Sequence, residues 1–279
     1  MRMLTAEDVN RLRTEAAEVR KEAIKMATRA GTGHLGPALG ITDVLWTLYS
    51  RHLKYDPKNP SWPERDRLIL SKGHSCLTLY VTLAKKGFFA EELLKTYCRE
   101  LDTLLGGHPE CRLPGVEANT GSLGHGFCIG VGMALAAKVD RKDYKVYTIL
   151  GDGETQEGSI WEGAMAAAHY KLDNLVAVVD RNNLQVSNYV DKVMNIDPLA
   201  EKWASFGWGV REIDGHDYQQ IDAALSAAPF IPGKPSVIIA RIVKGKGLPI
   251  AENKVEWHHK VPTAEEYREM DKLLSLGNL

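Results

Sequence analysis

Short apolar runs alternate with helical patterns along most of the chain, and this alternation limits the folds open to it. The apolar runs cover 67–71, 145–150, 175–180, 208–213 and 235–243. Segments with the spacing of an amphipathic helix lie between several of them, at 74–83, 159–170 and 221–227. Strands that are apolar throughout and joined through helices form parallel sheets. The sequence therefore predicts an α/β fold, a doubly wound and mostly parallel sheet with helices on both faces.

Further helices are predicted outside this alternating region. The segment 6–30 carries an apolar stripe at helical spacing, formed by Leu12, Ala16, Val19, Ala23 and Met26. Other helices are predicted at 42–52, 127–139 and 264–274, whereas 102–123 is rich in glycine and proline and predicts an irregular loop. We expect a single domain over residues 1–279, with a helical segment at its N-terminus.

Charge and cysteine content narrow the partners and the compartment. The 35 lysines and arginines nearly balance the 36 acidic residues, giving a formal net charge of -1, so neither nucleic acid nor an anionic membrane is an expected partner. The four cysteines contain no C-x-x-C pair, which favours a reducing compartment. With a charged N-terminus and no long apolar run, we expect a cytoplasmic protein.

Two neighbouring strands are each followed by polar residues that suit a metal ion. Gly151-Asp152-Gly153 follows the apolar run 145–150, and Asn182 follows the run 175–180. Carboxyl ends of adjacent parallel strands lie close together, and this edge is where such sheets bind ligands. Carboxylate, amide and carbonyl oxygens are the ligands that Mg²⁺ prefers, together with phosphate. Gly-Asp-Gly alone is more often a simple turn. The presence of Asn182 at this spacing, after the neighbouring strand, favours a metal site.

Six short segments rich in glycine or histidine resemble the motifs of transketolases, in the same order. They read Thr-Gly-His-Leu-Gly at 32–36, Asp-Arg-Leu-Ile-Leu-Ser-Lys-Gly-His at 66–74, Gly-His-Pro-Glu at 107–110, Thr-Gly-Ser-Leu-Gly-His-Gly at 120–126, Gly-Asp-Gly-Glu-Thr-Gln-Glu-Gly at 151–158 and Trp-His-His-Lys at 257–260. Gly-Asp-Gly with an asparagine 30 residues after the aspartate also resembles the signature of thiamine-diphosphate enzymes. The resemblance covers most of the chain.

The resemblance implies a cofactor, a metal and a set of catalytic residues. The implied cofactors are thiamine diphosphate and Mg²⁺, with the metal held by Asp152, the Asn182 side chain and the Leu184 carbonyl. The cofactor-binding residues would be His74, Gly121, Leu123, Gly151, Asp152, Gly153, Glu157, Asn182 and His258, and the catalytic residues His34, His74, His108, His258 and Glu157. The reaction would move a two-carbon ketol unit from a ketose, such as a sugar phosphate, to an aldose.

Histidine suits this chemistry, because sugar hydroxyls must be held and deprotonated near neutral pH. By the resemblance, His34 and His258 contact the substrate, His74 lies near the diphosphate, and His108 orients the donor's C1 hydroxyl. Any one of them could be an ordinary loop histidine, but together they favour function. Glu157 and Glu162 would belong to a carboxylate relay across a subunit interface, although acidic residues at a helix N-terminus are favourable in any case. The run 244–247, Lys-Gly-Lys-Gly, would help to close the site.

Full-length transketolases continue for several hundred residues beyond the region that matches. The sequence therefore predicts the diphosphate-binding subunit of a split enzyme, working with a separate C-terminal subunit that binds the pyrimidine ring. We expect two copies of each chain, with 127–133 and 164–168 as candidate contact surfaces. The residues that select the sugar are expected largely on the partner.

Alternatives remain open at this point. The chain could be half of another thiamine-diphosphate enzyme, a deoxyxylulose-phosphate synthase or a keto-acid dehydrogenase, or a non-catalytic scaffold that keeps the fold. Two positions depart from the family pattern: Arg181 replaces an acidic residue, and His259 replaces a glycine. The second departure allows the late histidine to be read as His258 or His259, and we prefer His258.

Overall fold

The computed structural model describes residues 3–263 and 265–268, and a parallel sheet organises them. The strands are β1 (Arg67–Leu70), β2 (Val146–Gly151), β3 (Leu175–Arg181), β4 (Gly209–Asp214) and β5 (Ser236–Arg241), paired in parallel in the order β1-β2-β3-β5-β4. The helices are α1 (Ala6–Ala30), α2 (Leu35–Thr47), α3 (Cys76–Lys85), α4 (His125–Val139), α5 (Gly158–His169), α6 (Val190–Val193), α7 (Leu199–Ser205) and α8 (Tyr218–Ala227). The predicted fold class is confirmed.

Each face of the sheet has its own hydrophobic core. Successive strand residues point to opposite faces, so Ile149 packs with α1, α2 and α3, while its neighbour Leu150 packs with α4, α5 and α7. The same division separates Val178 from Val179 on β3. Because both faces are covered, the central strands are apolar along most of their length. This is why they could be recognised as parallel strands from the sequence.

The first helix has clear start and stop signals. Thr5 and Asp8 form a capping box, in which each side chain accepts a hydrogen bond from the other's backbone N–H. The helix ends at Gly31, whose φ of 69° is a left-handed conformation that glycine adopts at little cost. The predicted apolar stripe is buried against α2 and α3. None of the described helices is both long and apolar enough to cross a membrane.

Several predicted boundaries differ from the structure. The second helix begins at Leu35 rather than at residue 42, and a π-helical turn, Leu48–His52, follows it. Its early start is possible because Pro37 lies in the first turn, where the missing N–H has no helical partner to lose. The last strand ends at Arg241 rather than at 243. Of the predicted helix at 264–274, residues 265–268 are helical, and the remainder lies outside the described residues.

Close packing of α4 on β2 gives a first testable prediction. A Cβ atom built on Gly130 would lie 2.4 Å from Thr148 Cγ2, so Gly130→Ala must push the helix off the sheet. We expect a loss of about 1–3 kcal/mol in the free energy of unfolding. Gly132→Ala is the matched control in the same helix, since nothing lies within 4 Å of its added Cβ. Urea unfolding should show the control unchanged or more stable; equal losses for both would contradict the packing argument.

Candidate active site

A cleft of about 420 Å³ opens at the carboxyl ends of β1, β2 and β3. It is lined by residues from every glycine-rich segment singled out above: His34, His74, His108, Gly121, Leu123, Gly151, Gly153, Glu157, Asn182, Leu184 and His258. Lys72, Glu154, Gln185 and Lys244 complete much of the wall. The cleft therefore brings together predicted site residues that are up to 224 positions apart in the sequence, from His34 to His258.

Asp152 lies beside the cleft wall as a buried carboxylate. It is 2% exposed, and it accepts hydrogen bonds from the backbone N–H groups of Gly153 at 2.7 Å and Asn183 at 2.5 Å. Burial, together with the nearby Asp180, raises the pKa of Asp152 to about 6. A buried carboxylate held in this way gains from a nearby cation, and a metal ion would supply one.

The other two residues expected to bind the metal, Asn182 and Leu184, flank Asn183, whose N–H Asp152 accepts. Asn182 donates from Nδ2 to Asp180 Oδ1 at 2.8 Å, which identifies Oδ1 as the oxygen left to accept. That oxygen accepts the N–H of Leu184 at 3.0 Å. In the described part of the chain, no group of three or more histidine, cysteine or acidic side chains could hold a metal. A cation here must therefore use amide and carbonyl oxygens beside one carboxylate, a donor set that fits Mg²⁺.

Two buried lysines give the cleft its positive charge. Lys72, 1% exposed, pairs with Asp180 and donates to the Pro37 carbonyl at 3.1 Å. Lys244 donates to the Leu184 carbonyl at 2.9 Å and contacts His258 Nδ1 at 2.7 Å. Burial lowers the pKa of Lys244 to about 8. An anionic ligand in the cleft would offset the burial of the Lys244 ammonium, since Lys72 is already paired with Asp180, so the residues present also fit a diphosphate.

Histidine rings form a cluster over the cleft. The His34 ring centroid lies 5.2 Å from that of His74, 6.2 Å from His108 and 5.4 Å from His258. His74 and His258 stack at 5.3 Å with an interplanar angle of 25°. The exposed ring of His259 lies 4.4 Å from His34. The four histidines selected from the sequence therefore converge, and the structure adds a fifth.

The environment keeps the inner histidines neutral. Burial, followed by the charges of His259, His108 and Lys244, lowers the pKa of His34 to about 4. Burial and Lys244 lower the pKa of His258 to about 3, and burial and Lys72 lower that of His74 well below its ordinary value. Neutral imidazoles can accept protons at pH 7, which a charged cluster could not.

The carboxylates near the cleft divide into a buried and an exposed group. Glu154 is 2% exposed and accepts hydrogen bonds from Ser71 Oγ at 2.5 Å, Gly124 N at 2.9 Å and Gly151 N at 3.0 Å. It thus fastens the glycine loop before α4 to the ends of β1 and β2. Glu157 borders the cleft and is exposed, as is Glu162 on α5. Glu154 is not among the site residues predicted from the sequence, although it lies within the 151–158 motif.

Comparison with known proteins supplies the family. Residues 12–277 match the family model described as transketolase, thiamine diphosphate binding domain. The chain belongs to the transketolase family.

Relatives of similar length are named as transketolase subunits. An apulose-4-phosphate transketolase subunit of Phocaeicola vulgatus is 44% identical over 261 residues, which cover 94% of this chain and 92% of that protein. The 6-deoxy-6-sulfo-D-fructose transketolase subunit SqwG of Clostridium sp. is 45% identical over 258 residues, covering 92% and 94%. The resemblance to transketolases is thereby confirmed.

A solved transketolase from Campylobacter jejuni has the same fold as this chain. It superimposes with a TM-score of 0.89 at 35% sequence identity, over 95% of this chain and 43% of that one. The transketolase fold described here therefore spans about two fifths of that longer protein.

The cluster geometry makes the choice between His258 and His259 testable in this transketolase chain. His258 lines the cleft, contacts Lys244 and stacks on His74, whereas His259 is exposed at its rim. We expect His258→Ala to lower kcat by about 100-fold, the range of a lost general acid–base group. His259→Ala should change kcat by less than about 3-fold, because its ring does not line the cleft. Steady-state kinetics with the partner subunit would check this, and the reverse order would assign the role to His259.

Proposed function

We propose that the chain is the diphosphate-binding subunit of a two-subunit transketolase, which transfers a two-carbon ketol unit from a ketose or ketose phosphate to an aldose. The observation that carries the proposal is the cluster of neutral imidazoles around His34, set over a cleft that Asn182 lines and beside which Asp152 is buried. A keto-acid substrate would not need so many groups able to exchange protons with hydroxyls.

Asp152, Asn182 Oδ1 and the Leu184 carbonyl would hold Mg²⁺, and the diphosphate would lie against Gly151, Gly153 and Gly121. Gly121 has a φ of 150°, and a Cβ there would lie 2.9 Å from the His108 ring. Only glycine therefore allows the backbone to approach the cleft at this position. Leu123, His74, Glu157 and His258 would complete the cofactor contacts. Bound thiamine diphosphate would supply the electron sink for the carbanion left by cleavage beside a ketose carbonyl.

The histidines would divide the work on the substrate. His34, at the centre of the cluster, and His258 would exchange protons with the reacting hydroxyls through their neutral ring nitrogens. His108, on the irregular loop, would orient the donor's terminal hydroxyl, and His74 would lie closest to the diphosphate. Lys244 is positioned to bind the diphosphate and to hold His258 through Nδ1.

A separate C-terminal subunit would complete the site, since the relatives of similar length are themselves named as subunits of a transketolase. We place the contact on α4 and α5, which pack together beside the mouth of the cleft. Between residues 126 and 137, the exposed positions of α4 are Ile129, Gly132 and Ala136, and on α5 Met165 is 58% exposed. Apolar and small exposed positions of this kind suit a permanent subunit interface, with the exposed Glu162 on the same helix α5.

Glu157 and Glu162 lie at the same end of α5 as the mouth of the cleft, where they could link the two active sites of an assembly with two copies of each chain. The domain would comprise residues 1–279. The four cysteines are free, which supports a cytoplasmic location.

Reconstitution tests the proposal directly. The chain is mixed with a separately expressed C-terminal transketolase subunit, thiamine diphosphate and Mg²⁺, and ketol transfer to an aldose is followed. We expect transfer only in the mixture and a loss of at least about 100-fold with His108→Ala. His169→Ala, at the far end of α5 from the cleft, is the control. Equal activity with wild-type chain and His108→Ala would indicate a scaffold, and decarboxylation of a keto acid without transfer would indicate a different enzyme class.

A further inference from the structure

His216 joins two parts of the fold that meet behind the cleft. Its ring lies between α2 and the segment that follows β5. Nδ1 is 2.7 Å from Asp43 Oδ2, and the backbone N–H of Val243 donates to Nε2 at 2.9 Å. Asp43 also accepts hydrogen bonds from both terminal nitrogens of Arg20, at 2.9 and 2.7 Å. The ring thus fastens the backbone of Val243 to a buried ion pair on α1 and α2.

The two bonds require one form of the ring. A backbone N–H can only donate, so Nε2 of His216 must accept and carry no proton. The proton therefore lies on Nδ1, where it is donated to Asp43. When a carboxylate accepts the proton of one ring nitrogen, the other ring nitrogen is left as an acceptor. The same arrangement fixes the ring form of histidines that bind metals.

Val243 begins the segment 243–258, which carries two groups of the cleft wall. Lys244 follows it directly, and His258 lies at the other end, with Lys244 Nζ and His258 Nδ1 2.7 Å apart. The segment lies against the first turns of α2. Gly245 donates its N–H to the Gly36 carbonyl at 3.0 Å, and a Cβ on Gly36 would meet the Trp257 carbonyl oxygen at 2.5 Å. A small displacement at Val243 would therefore shift both Lys244 and His258.

We propose that His216 is a positioning residue of the cleft, which holds segment 243–258 through the Val243 amide so that Lys244 and His258 face the ligand. The catalytic consequence rests on the proposed function, whereas the hold on the segment does not. His216 itself does not line the cleft.

Two substitutions separate the two bonds of the ring. A glutamine amide reaches about as far as Nε2, so His216→Gln keeps an acceptor for the Val243 N–H and loses the bond to Asp43. An asparagine amide reaches only as far as Nδ1, so His216→Asn keeps a donor for Asp43 and leaves the Val243 N–H without its acceptor. Asp43 retains Arg20 and Tyr218 in both variants, so both are expected to fold.

The first readout is amide hydrogen exchange in the chain alone, in a peptide covering residues 242–247. We expect exchange about ten-fold faster in His216→Asn and close to wild type in His216→Gln, because only the former loses the bond to Val243. The melting temperatures should not rank His216→Asn below His216→Gln, since His216→Asn keeps the buried bond to Asp43 that His216→Gln loses. Equal exchange in the two variants, or faster exchange over the whole chain in His216→Asn, would overturn the proposal.

The second readout is the reconstituted enzyme. Loss of at least about ten-fold in kcat for His216→Asn, with less than about 3-fold for His216→Gln, is the expected result, since misplacing a group in the cleft slows the reaction more than it weakens substrate binding. A change in substrate KM alone, or a larger loss with Gln than with Asn, would contradict a positioning role. If the wild-type mixture proves inactive, the proposed function fails, and the exchange experiment still decides whether His216 holds the segment.

Discussion

Asp152→Asn should abolish magnesium-dependent binding of thiamine diphosphate while leaving the fold intact. The substitution keeps the shape of the side chain and one acceptor oxygen, so one of the Gly153 and Asn183 N–H groups keeps its bond, and it removes the only charge in the expected metal-binding set. Replacing residues that merely orient metal ligands commonly weakens binding by 10–100-fold, so we expect the loss of a ligand charge to exceed about 100-fold. Calorimetric titration of thiamine diphosphate with Mg²⁺, and then with a chelator, would measure it.

The same substitution should leave the stability of the chain without its cofactor nearly unchanged. The pKa of Asp152 is raised to about 6 in the folded protein from the ordinary 3.8, so folding keeps a proton that the unfolded chain releases. Stability from this group is thus present below pH 4 and lost as pH rises toward 6, and at pH 7 the buried charge is unfavourable. Removing this charge offsets the loss of an acceptor for one of the two backbone N–H groups, so the variant should melt close to wild type at pH 7.

Asp143→Ala, an exposed aspartate before β2, is the control for binding. Magnesium-dependent binding that survives in Asp152→Asn would exclude the metal site. If neither wild type nor variant binds, the titration is repeated with the C-terminal subunit present, and absence of binding there would refute the thiamine proposal.

Asp43→Asn should produce the largest loss of stability. Asp43 is 3% exposed and accepts bonds from Arg20, His216 and Tyr218. Asparagine would leave the buried guanidinium of Arg20 without a counter-charge, a change that typically costs about 3–5 kcal/mol. For a chain of this size we expect the thermal midpoint to fall by roughly 10 °C. Differential scanning calorimetry at pH 7 would measure the shift.

Acid should remove the same contribution in the wild-type protein. Burial favours the neutral form of Asp43, but the charge of Arg20 and the bonds from His216 and Arg20 outweigh it and hold the pKa well below its ordinary value. A depressed pKa gives stability that is complete above about pH 4 and is lost as pH falls through the folded value. The difference in stability between wild type and Asp43→Asn should therefore shrink below pH 4.

The matched comparison is Glu64→Gln, which breaks the exposed pair of Glu64 and Lys142 and should leave the midpoint nearly unchanged. A constant difference between wild type and Asp43→Asn from pH 7 to pH 2 would show that the ion pair is not what stabilises this region.

The site could be predicted from the sequence wherever its residues follow strands. Asp152 and Asn182 come directly after recognisable apolar runs, and adjacent parallel strands must bring such positions to one edge. The histidines could be selected because each stands in a segment that resembles a family motif. These predictions needed no side-chain geometry, only the order of the elements.

Other features depended on contacts that no local pattern encodes. His216 carries the same sequence signal as a surface histidine, and it lies in none of the motif-like segments. Its partners, Asp43 and Val243, lie 173 residues before it and 27 residues after it. Lys72 likewise has no local mark of its pairing with Asp180, 108 residues away. The start of α2 was misplaced because glycine and proline lower helix propensity, whereas packing against segment 243–258 requires the small residues there.

The sequence by itself determined the parallel sheet, the edge at which the cleft opens and the family, because the apolar runs and the order of the motifs can be read directly along the chain. The tertiary structure decided which histidines meet, which stay neutral and which buried charges balance one another. Those properties depend on distance and desolvation, which are set only when segments far apart in sequence pack together.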